Sequence, residues 1–297
     1  MVFVAANDGF LHAFDASDNA TNGGKELFAV APDSVLKNMA QLASPGYSHR
    51  YYVNGTPTQG DAYIGGSWKT VLLGSTGAGG RSVFALDVTN SAVDGAKVLW
   101  EYSDADLGLT IGTPKIARLP NGQWAAIFGN GYNSDNNQAF LYIVNLETGA
   151  LISKVATNTE GTAALPNGMA SPAVIDLQGD GTTDLVYAGD YYGNLWRVPL
   201  AASGTTLNVP VATKLFTAVD TATAGTGTPL RQRITGGVTA SVHPVRGQLV
   251  FFGTGSYFLD GDNTAPSSSD QIQSFYAIWD DNGAAVTRAS LVAQTFT

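Results

Sequence analysis

Five times along the chain a short apolar run meets a small residue at its fourth position: VFVAAN from Val2, VLLGST from Val71, AIFGNG from Ala126, LVYAGD from Leu185 and VFFGTG from Val250. The small residues are Ala5, Gly74, Gly129, Ala188 and Gly253, at spacings of 69, 55, 59 and 65. A period of tens of residues implies units that pack on their neighbours rather than fold alone. After a loop, each run is followed by a second stretch: LHAFDA from Leu11, VFALDV from Val83, LYIVNL from Leu141, LWRVPL from Leu195 and FYAIWD from Phe275. Large residues at alternate positions predict strands with one buried face.

A third stretch often follows a glycine turn: GKELFAV from Gly24, AKVLWEY from Ala96, GALISKV from Gly149 and AAVTRASLV from Ala284. A fourth precedes the first: TPTQGDAYI from Thr56, GTPKIARL from Gly112, ASPAVIDL from Ala170 and TGGVTASV from Thr235. The predicted unit is a four-stranded antiparallel sheet, and five such units read as an all-β fold, a β-propeller with loop-lengthened blades. A sandwich would not require the same small residue at one point of every unit. The first copy starts at its second strand, so blade one lacks an inner strand. The expectation is a single propeller domain over 1–297 that is a fragment lacking upstream blades, with open strand edges at the ring end. The opening MVFVAANDGF has no basic segment and few apolar residues, so it reads as neither a signal peptide nor a membrane span.

Composition agrees with this class. Charged residues are 13% of the chain and glycine supplies 35 of its 297 residues, as in turn-rich β proteins. With 24 acidic against 15 basic residues the net charge is −9. That balance, without a basic run, argues against nucleic acid or an anionic membrane as partner. Cysteine is absent, which excludes disulfides, thiolate metal sites and a Cys nucleophile.

A helical insertion is predicted at 33–46: Ser34 as N-cap, Val35, Leu36, Met39 and Leu42 on one face, and Pro45-Gly46 as the stop. Residues 201–229, NGYNSDNNQ from Asn130 and DGDNTAPSSSD from Asp260 read as polar loops, the usual seat of binding on a rigid scaffold.

The stretch DLQGDGTTDLVYAGD, residues 176–190, is the strongest chemical candidate. Calcium takes six to eight oxygens at about 2.3–2.6 Å, which a short loop supplies from side chains at positions 1, 3, 5 and 9 and a carbonyl at 7. The ligands would be Asp176, Gln178, Asp180, the carbonyl of Thr182, and Asp184, with Gly181 at the bend. Position 12 is Tyr187, not the bidentate Glu of an EF-hand, so no helix-loop-helix switch is implied. The other reading is a hairpin turn in which Gly179 and Gly181 take unusual φ angles and the aspartates cap backbone N–H groups.

Other features carry less. Asp104 with Asp106, and Asp260 with Asp262, are acid pairs that could ligate a cation or simply be solvated. His12, His49 and His243 are scattered without metal spacing. GSTGAGGRS from Gly74 lacks the Lys-Ser/Thr of a phosphate loop and reads as a connection between strands. Trp68, Trp100, Trp124, Trp196 and Trp279 recur about once per unit, as packing between blades would require.

Several segments together, ANDGFLHAFDA, YSHRYYVNGTPT, SWKTVLLGSTGAGGRSVFALDVT, LVYAGDYYGNLWRV and FGTGSYF with QSFYAIWD, resemble the C-terminal propeller of the PilY family of type IV pilus biogenesis proteins. The likeness runs from about residue 2 to 280. It implies a modified quinoprotein-like propeller, seven-bladed in the family, exported to the cell surface, pilus tip or outer membrane. It also implies a role in pilus assembly by opposing retraction, in twitching motility and in adhesion to host or abiotic surfaces, with pilins or minor pilins as partners. The family's calcium loop, Asp-x-Asx-x-Asp-x-x-x-Asp, falls on 176–184, and this chain departs from it at Gln178. Two other classes stay open: a quinone-dependent dehydrogenase, which shares the blade pattern, and a generic extracellular ligand-binding propeller.

Overall fold

The computed structural model describes residues 1–157, 161–220, 230–258, 262–264 and 271–294. Among the described residues, five antiparallel sheets of three or four strands follow one another along the chain, with one two-stranded pair inserted in the fourth and another before the fifth. The first holds β1 (Val2–Ala5), β2 (Leu11–Phe14) and β3 (Glu26–Val30). Helix α1 (Asp33–Met39), prolonged by a 3-10 turn at Ala40–Ala43, leads to the second: β4 (Thr58–Ile64), β5 (Ser67–Ser75), β6 (Val83–Asp87) and β7 (Lys97–Tyr102). The third holds β8 (Lys115–Arg118), β9 (Trp124–Gly129), β10 (Phe140–Asn145) and β11 (Leu151–Ala156).

The fourth begins with β12 (Ala173–Ile175), β13 (Leu185–Gly189) and β14 (Asn194–Pro199). A ribbon of β15 (Ala201–Ser203) and β16 (Thr206–Asn208) intervenes before β17 (Thr213–Thr217) completes that sheet. A short pair, β18 (Val219–Asp220) and β19 (Leu230–Arg231), precedes the fifth sheet: β20 (Thr239–Val242), β21 (Gln248–Gly253) and β22 (Phe275–Asp280). The inner strands β4, β8, β12 and β20 stand beside one another in chain order. Isolated bridges such as Leu109 to Tyr132 and Met169 to Asp190 stitch neighbouring units together.

The recurrent small residue holds the same register position in every unit. Each lies opposite a large residue of the following strand: Ala5 faces Leu11, Gly74 faces Phe84, Gly129 faces Leu141, Ala188 faces Trp196 and Gly253 faces Phe275. A Cβ on Gly74 would lie 2.3 Å from the Phe84 ring. That ring is 2% exposed, so it has no room to retreat.

The core is divided among the gaps between sheets. One apolar cluster joins the first and second sheets, with Leu11, Phe28, Leu72 and Phe84. A second joins the next pair through Val71, Leu73, Phe128 and Tyr142. A third carries Ile127, Ile143, Val186 and Trp196, and a fourth Tyr187, Phe216, Val250 and Phe252. Because side chains alternate faces along a strand, Leu72 serves one gap while Val71 and Leu73 serve the next.

This corrects the expectation of one buried face. Strands β6 and β13 are buried at every residue, because a sheet covers each side. In the end sheets, β2 alternates buried and half-buried residues and β22 exposed and buried ones, as the pattern suggested.

Three local expectations also change. Ala284–Val292 forms no strand: it ends in a 3-10 turn at Arg288–Ser290, and the N–H of Val286 bonds the carbonyl of Leu215 at 2.7 Å. The fifth sheet therefore has three strands among the described residues. Residues 201–220, expected as loop, contain the ribbon and the outer strand β17; 221–229 lie outside the described residues. Ser34 sits inside α1 behind Pro32 and is not the cap. The Glu101 carboxylate on β7 instead accepts the N–H groups of Asp33 at 2.7 Å and Ser34 at 3.2 Å. Leu36 faces solvent, and Val35 alone on the helix is buried. Among the described residues, no helix is long and apolar enough to cross a membrane.

Candidate functional site

The loop from Asp176 to Asp184 joins β12 to β13, as the repeat required. Gly179 and Gly181 take φ angles of 75° and 83°, the left-handed region that a side chain resists. That bend wraps the backbone around Asp176, whose carboxylate accepts N–H groups from Gln178, Gly179, Asp180 and Gly181 at 2.6–3.3 Å. These donors, Gly181 foremost, hold the Asp176 carboxyl below the usual carboxylate range. Asp180 accepts the N–H of Thr182 at 2.8 Å and its hydroxyl at 2.6 Å. Asp184 accepts the N–H of Leu177 at 2.7 Å, and the Gln178 amide lies against it with its nitrogen as donor. On the far side, the N–H of Thr183 bonds the carbonyl of Arg118 at 2.8 Å, which pins the loop to the third sheet.

The donor chemistry of this loop fits a hard cation. Three carboxylates stand within nine residues without an ion-pairing base among the described residues. A carboxylate that accepts N–H groups keeps further lone pairs. The side chains are not gathered on one point, however: among the described residues no group of three or more His, Cys, Asp or Glu stands close enough to hold a metal ion. The loop adopts the turn in which the aspartates cap backbone N–H groups.

The other candidates are placed differently. Asp104 and Asp106 share a cation from the protein itself: Lys154 lies 3.0 Å from Asp104 and also pairs with Asp106. Tyr142 donates to Asp104 at 2.7 Å, and burial with that carboxylate nearby pushes Tyr102 up to about 12. Asp262 accepts the N–H of Phe258 and the hydroxyl of Ser256; Asp260 lies outside the described residues. His12 is held between Asp8 at 2.9 Å and Glu26 at 2.5 Å, and His243 stacks on Trp279. Trp100 and Trp196 pack in the gaps between sheets as expected, whereas Trp68 is 64% exposed and Trp279 38%. The glycine-rich stretch from Gly74 ends β5 and connects it to β6.

A cavity that the sequence reading did not single out opens on the opposite ends of these strands. Its volume is about 1010 Å³, at the upper end for ligand clefts. Loops from every sheet after the first, and the segments between sheets, contribute to its wall. Tyr132 follows β9, Tyr191 and Tyr192 follow β13, and Tyr257 and Phe258 follow β21. Tyr132, Tyr191 and Phe258 touch, with ring centroids 5.0–6.4 Å apart. Arg233 lies over the Tyr191 ring at 4.5 Å and Arg231 over Tyr192 at 5.3 Å.

Asp190 sets the turn that carries the paired tyrosines. Its carboxylate accepts the N–H groups of Tyr192 and Asn194 and side-chain donors from Asn167, Asn194 and Trp196 at 2.8–3.1 Å. Burial pushes its carboxyl above the usual range even with those donors. The signal for this cavity was legible: GNGY, AGDY and GTGSY place a tyrosine just past the second strand of three units. What the sequence did not disclose was that those loops meet.

The model of the PilY1 beta-propeller domain matches residues 1–296. A type IV pilus biogenesis factor PilY1 homolog of Xylella fastidiosa is 44% identical over 306 residues, covering 99% of this chain and 20% of that protein. The factor PilY1 of Pseudomonas aeruginosa is 41% identical over 304 residues, covering 94% of this chain and 25% of its own length. The chain thus spans a quarter or less of these relatives. The crystal structure of the Pseudomonas aeruginosa PilY1 C-terminal domain superposes with a TM-score of 0.79 at 38% identity, over 96% of this chain and 59% of that one. The chain belongs to the PilY1 β-propeller family.

Proposed function

We propose that this propeller is the surface module of a type IV pilus biogenesis factor. After export it acts at the pilus tip or outer membrane, opposes pilus retraction through contacts with pilins or minor pilins, and thereby supports twitching motility and adhesion. The observation that carries this reading is identity of 44% to a pilus biogenesis factor across 99% of the chain. The role proposed is a binding one, and the described wall of the cavity suits it with aromatic rings, guanidinium and amide groups. The test is a strain whose full-length relative lacks only this segment, with surface pili counted before and after retraction is disabled. Pili lost in the first case and regained in the second are expected. Unchanged pili in the first case would sink the reading.

The loop at 176–184 is, in this proposal, a calcium site. Asp176, Gln178, Asp180, the carbonyl of Thr182, and Asp184 would hold the ion, which when bound would neutralise three neighbouring carboxylates. Support comes from the oxygen-only donor set and from the two left-handed glycines that already bend the loop. Gln178 offers a neutral oxygen where a charge is commoner, so micromolar to millimolar affinity is expected. Calcium at about 100 times its Kd would stabilise the fold by about 2.7 kcal/mol. Melting curves with calcium and with chelator should differ for the native chain and coincide for Asp180→Ala. Identical curves for the native chain would refute a stabilising calcium site.

A further inference from the structure

The described wall of the aromatic cavity is basic, although the chain as a whole is acidic. The molecule has 24 acidic and 15 basic residues, yet the described wall of the cavity contains two arginines and no Asp or Glu. Arg233 is half-buried and stacked on Tyr191, and Ser256 takes one of its N–H groups at 3.2 Å. A guanidinium offers five donors in a planar fork, so most of that fork is left for a carboxylate. Asp262, four residues past Phe258, turns to the Phe258 N–H and the Ser256 hydroxyl.

Around Arg233 the wall is largely apolar and aromatic, and part of it is open to solvent. Tyr257 is 72% exposed, and Phe258, Leu165 and Leu230 are also exposed. Tyrosine and arginine beside exposed aliphatic groups are the composition of binding hot spots for proteins, where a ring fills a pocket and a guanidinium takes an acid. Of the wall's amides, Asn54 and Asn167 already bond the protein's own groups, Ala78 in the first case and Asp190 and Gly168 in the second, which leaves few hydroxyl-binding groups for a saccharide. We propose that this cavity seats a peptide segment of a partner protein in which an apolar or aromatic side chain stands next to a carboxylate, from Asp, Glu or a chain terminus. The carboxylate meets Arg233, and the apolar side chain lies against Tyr132, Tyr191 and Phe258.

This assignment does not draw on the calcium loop, which sits at the other end of β13. Nor does it need the pilus reading, since the ligand class follows from the wall alone. The test is selection of a displayed random nonapeptide library on the whole chain. Fluorescence anisotropy is then measured on the synthetic winners. Sequences enriched in Asp or Glu beside aromatic or aliphatic residues are expected, with affinity falling about tenfold or more for Arg233→Met. Tyr257→Ser alters an open side chain that packs in none of the apolar clusters, and it should weaken the same peptides several-fold with an unchanged melting curve. Affinity should also fall as salt rises. Enrichment of basic peptides, no enrichment at all, or winners that bind Arg233→Met and Tyr257→Ser as well as the native chain would overturn the proposal. Saturable binding of uronic-acid oligosaccharides that displaces the peptides would assign the cavity to an acidic glycan and overturn it too.

Discussion

His12 illustrates how a single titration can be read from its neighbours. Glu26 at 2.5 Å and Asp8 at 2.9 Å both favour the charged ring, and together they outweigh burial and raise its pKa above the ordinary histidine value. A raised pKa in the folded state stabilises the fold below the unfolded value of about 6.5, and that contribution fades as pH rises through the folded value. Asp8 and Glu26 are largely exposed, so the effect belongs to the range of about 0–1 kcal/mol. Denaturation of the native chain between pH 6 and 8 should lose that increment, and His12→Gln should not. A native chain as stable relative to His12→Gln at pH 8 as at pH 6 would count against the ion triad. Asp104 follows a different course. As an isolated acid pair with Asp106 it suggested a cation site, but Lys154 on β11 had to arrive from 50 residues away to show that the cation was internal.

The second strand of each unit was the most legible element, and its small residue tests the explanation given for it. At Gly74 an added methyl collides with Phe84, which is packed against the first sheet; at Gly253 the same methyl meets nothing within 4 Å. Gly74→Ala should therefore cost about 1–3 kcal/mol through overpacking. Gly253→Ala lies in a strand without left-handed φ and should be neutral or mildly stabilising. Equal losses at the two positions would mean that the recurrence reflects backbone freedom rather than the ring opposite. The outer strands were harder to read. TKLFT from Thr213 is short, follows an Ala- and Thr-rich stretch and is preceded by a ribbon, so its periodicity is diluted. AAVTRASLV has the right composition but lies along β17, where Val286 bonds Leu215, and so forms no ladder with β22.

Across the molecule the apolar clusters lie between sheets, so each sheet depends on its neighbours. Polar ties cross the same gaps: the Trp100 indole donates to the carbonyl of Leu146 at 2.8 Å, and Arg197 pairs with Asp280 at 2.7 Å. The second and third sheets share one cluster and the third and fourth another, which gives the middle strands two covered faces. Amide exchange should be slowest in β9, β10 and β13, at rates close to those of global unfolding. The exposed ribbon of β15 with β16 should exchange first, along with the outer residues of β20. Exchange of the middle sheets as independent units, each with its own rate, would contradict a core shared across the gaps.

Local physics settles early in this chain. A strand alternates faces every residue, a small residue stands opposite a large one at the same point of each unit, and glycines on either side of Asp180 let the chain bend between Asp176 and Asp184; each is a short-range rule written in a few adjacent letters. Those rules yielded the repeated sheets, the turn at 176–184 and the connection after Gly74. The remaining features depend on separation in sequence and proximity in space. Whether a strand is covered on one face or two depends on the sheet that stacks against it, and whether Asp104 holds a foreign cation depends on Lys154. The cavity is the largest such case. Tyr132, Tyr191, Tyr257 and Arg233 lie in loops more than 40 residues apart in most pairings, and only the packing of successive sheets around a common side brings their rings and charges to one wall.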